Sequence, residues 1–251
     1  MRKSALYSML AAFLILLGAC SSGDLKDSAT PEGAFKIAEE LEQDERFEEA
    51  IQKFREVQNK HPYSRFAVLA KLKVADINYN RENFIEAQAA YQLFKDLHPK
   101  NERIDYVTFR LGMSYFNQLP STIDRDLSQA HKAILYFDEV TNSYPTSQHV
   151  KEAGEKKVEA LKKLAEKEQY IADFYFKREM YDSALRRYEK LLKDYPALGF
   201  ELPGLYGASV SALRSGDLEK GKSLSAKLVQ QFPDSAEAGK VRGEMDKHGI
   251  R

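Results

Sequence analysis

The stretch "FEEAIQKFREVQNKHP" (residues 47–62) decides the fold, because four further segments repeat its design. These are "FIEAQAAYQLFKDLHP" (84–99), "AHKAILYFDEVTNSYP" (130–145), "YDSALRRYEKLLKDYP" (181–196) and "LEKGKSLSAKLVQQFP" (218–233). Aligned on their prolines, each has a small residue twelve positions earlier: Ala50, Ala87, Ala133, Ala184 and Gly221. Eight before the proline stand Phe54, Tyr91, Phe137, Tyr188 and, in the weakest copy, Ser225. Five before stand Val57, Phe94, Val140, Leu191 and Leu228. Offsets of 12, 8 and 5 differ by four and three, so these columns share one face of a helix. The small residue allows close helix approach and the aromatic fills the groove beside it. Proline cannot continue a helix and also turns the preceding residue away from helical geometry, so it closes each unit. Five copies in register predict a helical repeat array.

The segments between these helices carry a second pattern of a large residue, a small one and a large one three later. Repeat one has Ile37-Ala38 with Leu41, repeat three Leu111-Gly112 with Tyr115, and repeat four Ile171-Ala172 with Tyr175. Together the two helices resemble the tetratricopeptide repeat (TPR). That resemblance implies an all-α, right-handed TPR superhelix (an α-solenoid) of five helix pairs with a concave groove. The expected repeats are residues 32–62, 63–99, 100–145, 146–196 and 197–233, followed by a short C-terminal helix within a TPR domain over 32–251. The prolines lie 37, 46, 51 and 37 residues apart, unevenly. The second interval's excess maps to a loop, "QLPSTIDRD" (118–126), between the helices of repeat three. The third interval holds one long periodic run, which predicts an elongated first helix in repeat four.

The N-terminus reads differently. Arg2 and Lys3 precede an apolar run from Ala5 to Ala19, the layout of a secretory signal and too short for a spanning helix. Leu17-Gly18-Ala19-Cys20 resembles a bacterial lipobox, in which the cysteine is lipidated and becomes the new N-terminus. Cys20 is the only cysteine in the 251 residues, so no internal disulfide is possible. The expected layout is a signal peptide over 1–19 and a tether over 20–31 behind a lipidated Cys20. Ser21, where aspartate would favour inner-membrane retention in such signals, implies an outer-membrane anchor facing the periplasm. Without Arg2 and Lys3, 36 basic residues face 38 acidic ones, a net charge of −2. No basic face for nucleic acid follows from that balance.

The irregular spacings carry a narrower resemblance. "HPYSRFA" (61–67), "LHPKNERIDYVTFRLGMSYF" (97–116), "DRDLSQAHKAILYFDEVTNSYPTSQHV" (124–150) and "LAEKEQYIADFYFKREMYDSALRRYEKLLKDYP" (164–196) together resemble the BamD family. Its members are five-TPR outer-membrane lipoproteins of the β-barrel assembly machinery. The likeness runs over about residues 32–235. It departs in a shorter loop before Asp124, in the order Arg110-Leu111-Gly112, and in the degenerate last repeat. The resemblance implies a scaffold with three kinds of partner: the barrel-forming subunit, other assembly lipoproteins, and the C-terminal segments of unfolded outer-membrane proteins. A TPR lipoprotein serving another envelope assembly, in cell-wall synthesis or envelope constriction, is the alternative reading.

In TPR folds the first helix of each pair lines the groove. Counted from the small residue of each repeat, the groove positions include Phe35, Leu72, Tyr79, Asn80, Tyr106, Phe109, Met113, Phe116 and Asn117. Aromatic and aliphatic groups beside two asparagines suit a peptide with aromatic side chains, the amides bonding its backbone. Several of these side chains have an equally simple use as packing between repeats. The lysines of carboxylate-clamping TPRs are absent from the corresponding positions. Arg187 matches a position where BamD relatives carry an arginine toward the barrel-forming subunit, and bidentate pairing with a carboxylate suits such an interface. No His-Glu-x-x-His, CxxC, GxSxG or phosphate-binding loop occurs, so neither an enzyme nor a metal or other cofactor is expected.

Overall fold

A computed structural model of the chain describes residues 28–250, so Cys20, the signal and most of the tether lie outside the described residues. Those residues form eleven helices and no strand. They are α1 (Pro31–Gln43), α2 (Phe47–Lys60), α3 (Arg65–Asn80), α4 (Phe84–Leu97), α5 (Ile104–Asn117) and α6 (Ser128–Ser143). Then follow α7 (Val150–Lys177), α8 (Tyr181–Asp194), α9 (Glu201–Ser215), α10 (Leu218–Gln231) and α11 (Ala236–Lys247). The first ten are five helix–turn–helix repeats, the all-α TPR architecture. The elongated helix of repeat four is α7, at 28 residues.

The repeat columns are the core. Ala50, Ala87, Ala133 and Ala184 have no exposed surface, and neither do Phe54, Tyr91 and Phe137. Val57, Phe94, Val140, Leu191 and Leu228 are equally enclosed. A glycine on a first helix receives the aromatic of a second helix, of its own repeat or of the one before. A Cβ added at Gly207 of α9 would collide with the Tyr188 ring of α8, in the repeat before, and one at Gly112 of α5 would lie 2.9 Å from the Phe137 ring of α6, in the same repeat. The phenol of Tyr188 reaches past Gly207's neighbourhood to donate to Asp173 at 2.5 Å.

Each second helix ends the same way. His61, His98, Tyr144, Tyr195 and Phe232, the residues before the five prolines, all sit near φ −130° and ψ 55°. Their backbone N–H groups donate to the carbonyls of Val57, Phe94, Val140, Leu191 and Leu228. Proline disfavours helical geometry in its predecessor, and the same departure from it recurs five times.

The turns inside repeats one, two, four and five share another device. Glu45, Glu82, Glu179 and Gly216 have φ between 58° and 91°. The next residue's N–H reaches back to a carbonyl five positions earlier, as in Arg46 to Leu41 at 2.8 Å and Asp217 to Ala212 at 2.9 Å. That is the bond pattern of a Schellman cap. Repeat three lacks this turn, and residues 118–127 replace it.

The chain divides into two compact units, one up to Ile77 and one from Asn78 onward. In the first, Phe35, Ala38, Ala50, Ile51, Phe54 and Val57 pack with Ala70, Val74 and Ile77 of α3. In the second, α4 through α10 pack each on the next, and α11 lies against α9 and α10. Among the described residues no helix is long and apolar enough to cross a membrane.

Candidate peptide-binding face

Five of the nine expected groove residues are buried, and this sorts the set. Phe35 is a core residue of the first unit, with its ring 5.2 Å from Phe54 and 5.5 Å from Phe66. Leu72 is buried in α3. Phe109, Met113 and Phe116 of α5 belong to the main core of the second unit, because α6 and α7 close over them. Position in the motif brought all five to the first helices, and packing between successive repeats then covered them. Phe35 and Leu72 are interior to the first unit and Phe109, Met113 and Phe116 to the second, and none of the five faces solvent.

Tyr79, Asn80, Tyr106 and Asn117 remain at least partly open. All four lie in the second unit, on the last turn of α3 and along α5. The Asn117 side-chain amide donates to the Tyr79 hydroxyl at 3.1 Å. Tyr79 in turn stands edge-on to Phe84 and Tyr91, with centroids 5.5 and 6.4 Å away, so its ring is fixed.

Arg110 joins these groups, and no motif position singled it out. Its guanidinium lies 4.4 Å from the Tyr79 ring centroid and 5.3 Å from that of Tyr106. Its Nε donates to the Tyr106 hydroxyl at 3.2 Å. Arg103 covers Tyr106 from another side at 4.6 Å. The readable signal was the Tyr106/Arg110 spacing of four, which places both on one helix face. The result is an ordered surface of two tyrosine rings, one guanidinium between them and the Asn117 amide, with Asn80 exposed on the same last turn of α3 as Tyr79.

His149 completes the surface. Its imidazole stacks on Phe109, 4.7 Å between centroids and 8° between planes, and lies 5.7 Å from the Tyr106 ring. The segment before it is tied to α5 by Ser147, whose hydroxyl donates to Asp105 at 2.6 Å. Desolvation works against the Asp105 charge, but the Ser147 bond and the Tyr106 backbone N–H outweigh it and hold this carboxyl below its usual range. "TSQHV" therefore acts as a strap pinning repeat four to repeat three.

Arg187 sits apart, on α8. Its Nη1 meets Glu168 of α7 at 3.1 Å, and Lys190 meets the other oxygen of the same carboxylate at 3.0 Å. Glu168 is mostly covered, whereas both cations are more than a third exposed. Lys190 also meets Asp194 at 3.2 Å, so two cations and two carboxylates balance on this surface. No group of His, Cys, Asp and Glu among the described residues is arranged to hold a metal ion.

A family profile described as "Outer membrane lipoprotein", YfiO, matches residues 27–206. The chain is 25% identical over 198 residues to the outer membrane protein assembly factor BamD of Vibrio cholerae serotype O1, covering 75% of this chain and 82% of that one. It is 24% identical over 242 residues to the BamD of Rickettsia prowazekii, covering 94% of both. Among solved structures, the TPR2AB-domain:pHSP90-complex of yeast Sti1 aligns with a TM-score of 0.43 and 13% identity, over 88% of this chain and 85% of that one; so distant a likeness adds nothing to the repeats themselves. With 180 of its 251 residues matched by one profile, the chain belongs to the YfiO family of outer membrane lipoproteins.

Proposed function

We propose that this protein is a lipid-anchored scaffold of outer-membrane β-barrel assembly, held at the periplasmic face of the outer membrane through Cys20. It binds the C-terminal segments of unfolded outer-membrane proteins and hands them toward the barrel-forming subunit. The surface built by Tyr79, Tyr106, Arg110, Asn80 and Asn117 serves the first task. Aromatic side chains of a client stack on the two fixed rings, and the two terminal amides bond its backbone. The buried Phe109, Met113 and Phe116 lie beneath those groups in the core of the second unit. The exposed side of Arg187, beside Glu168, serves the second task, offering its guanidinium to an acidic group of the barrel-forming subunit. Other assembly lipoproteins are the remaining partners. The chemistry is recognition and positioning, with no bond made or broken.

The observation that carries this reading is the family match, since the relatives it gathers are assembly factors for outer membrane proteins. Depletion in the native host tests it. Barrel proteins should disappear from the outer membrane as the scaffold is lost, and unchanged barrel levels would sink the reading.

A further inference from the structure

Tyr63 is completely exposed, at 102% of its reference surface, and is the most exposed large apolar side chain among the described residues. It follows the first repeat proline. In the other four repeats that place is taken by Lys100, Thr146, Ala197 and Asp234, which are charged, polar or small. An aromatic ring there serves no packing role that the other repeats need.

The turn that presents it is stiff. Pro62 fixes its own φ, and Ser64 N–H donates to the His61 carbonyl at 3.0 Å. The Ser64 hydroxyl then accepts from the Ala67 N–H at 3.1 Å and caps α3. The ring is thus held out from the surface by a preorganised loop.

Two further features specify what it meets. First, the described chain begins beside this turn: Ser28 and Lys60 line the same cavity of about 140 Å³, with Ala34, Ile37, Lys53 and Glu56. Cys20 lies eight residues before Ser28, a span of at most ~28 Å when fully extended. A lipid on Cys20 therefore keeps this end of the first unit within that distance of the bilayer. Second, the turn is flanked by positive charge. Lys53 and Lys60 share the single carboxylate of Glu56, at 3.0 and 3.4 Å. Arg65, exposed two residues beyond Tyr63, lies over the Phe66 ring at 4.8 Å.

We infer that the turn 61–64 is a second membrane contact, in which the Tyr63 ring enters the headgroup region of the bilayer and Lys60 and Arg65 meet anionic phospholipids. Tyrosine suits that depth, with an apolar ring inward and a hydroxyl in water, and basic residues add attraction to an anionic surface. The contact would fix how the first repeat is presented to the membrane, which one tether alone leaves free. It rests on the reading that Cys20 carries the lipid.

The chain contains no tryptophan, so Tyr63→Trp places a single tryptophan, excited selectively over the remaining tyrosines, at the tip of the turn. The lipidated full chain carrying this change is reconstituted into phosphatidylethanolamine vesicles with and without phosphatidylglycerol. The contact predicts a blue-shifted emission that brominated acyl chains quench, stronger with the anionic lipid and weakened by Lys60→Glu with Arg65→Glu. Emission as in water, unquenched while the protein sediments with the vesicles, overturns the contact. A chain that gains no acyl mass and fails to sediment overturns the lipidation reading instead.

Discussion

The Asn117 side-chain amide and the Tyr79 hydroxyl meet at 3.1 Å across 38 residues of chain, joining the end of α5 to the end of α3. This bond, with the Arg110 guanidinium 4.4 Å from the same ring, holds Tyr79 in one orientation before any ligand arrives. A ring already immobilised loses little entropy on binding.

Removing that ring should therefore weaken client binding more than removing its clamp. For Tyr79→Ala, affinity for a labelled peptide ending in an aromatic residue should fall about tenfold, the effect of ~1.4 kcal/mol. Asn117→Ala removes one exposed hydrogen bond and should cost about threefold. Anisotropy titrations measure both, and equal affinity for all three proteins would contradict the assignment of this face.

The turns predict a gain in stability. Glu179 sits at φ 58°, where a side chain other than glycine costs about 1 kcal/mol. Repeat five already places Gly216 at the equivalent point. Glu179→Gly should raise the melting temperature by a few degrees, and Gly216→Ala should lower it by a similar amount, both read by calorimetry.

At the other end, Glu244 is buried on α11 and accepts from Arg214 at 2.6 Å and from Lys247 at 2.9 Å. The Arg214 bond, aided by Lys247 against the cost of burial, pulls its pKa down to about 2. A depressed carboxyl stabilises the fold fully above its unfolded pKa, near 4.5, and loses that contribution as pH falls toward about 2. Allowing for the partial exposure of both cations, the amount is on the order of 2 kcal/mol. Acidification from pH 5 to pH 3 should loosen α11 in hydrogen exchange. Glu244→Gln should remove most of that pH dependence, and an unchanged dependence in the variant would contradict it.

Cys20→Ala should leave the helical content and melting curve intact and release the protein from the membrane fraction. Full retention of the variant on membranes would mean that contacts other than the lipid, with partners or through the turn at Tyr63, hold it there.

The fold was legible because its information is local and repeated. The alignment on Pro62, Pro99, Pro145, Pro196 and Pro233 located the second helices and their buried columns, and the long third interval located α7. The candidate face was half legible. Counting motif positions reached Tyr79, Asn80, Tyr106 and Asn117, but the same count also returned Phe109 and Phe116. Exposure at those positions depends on what the next repeat lays over them, here His149 and the core around α6 and α7. Arg110 and Glu168 were missed for a related reason. A cation over two rings, and a carboxylate shared by Arg187 and Lys190, are relationships between helices that no single helix displays.

The most direct test of the account places a photo-crosslinking phenylalanine analogue at Tyr106 in the native host. Ultraviolet light should join the scaffold to unfolded barrel proteins through their C-terminal segments, and Tyr79→Ala should diminish those products. A reactive group at position 106 that captures no barrel precursor, in cells where assembly proceeds normally, would contradict the claim that this face receives them.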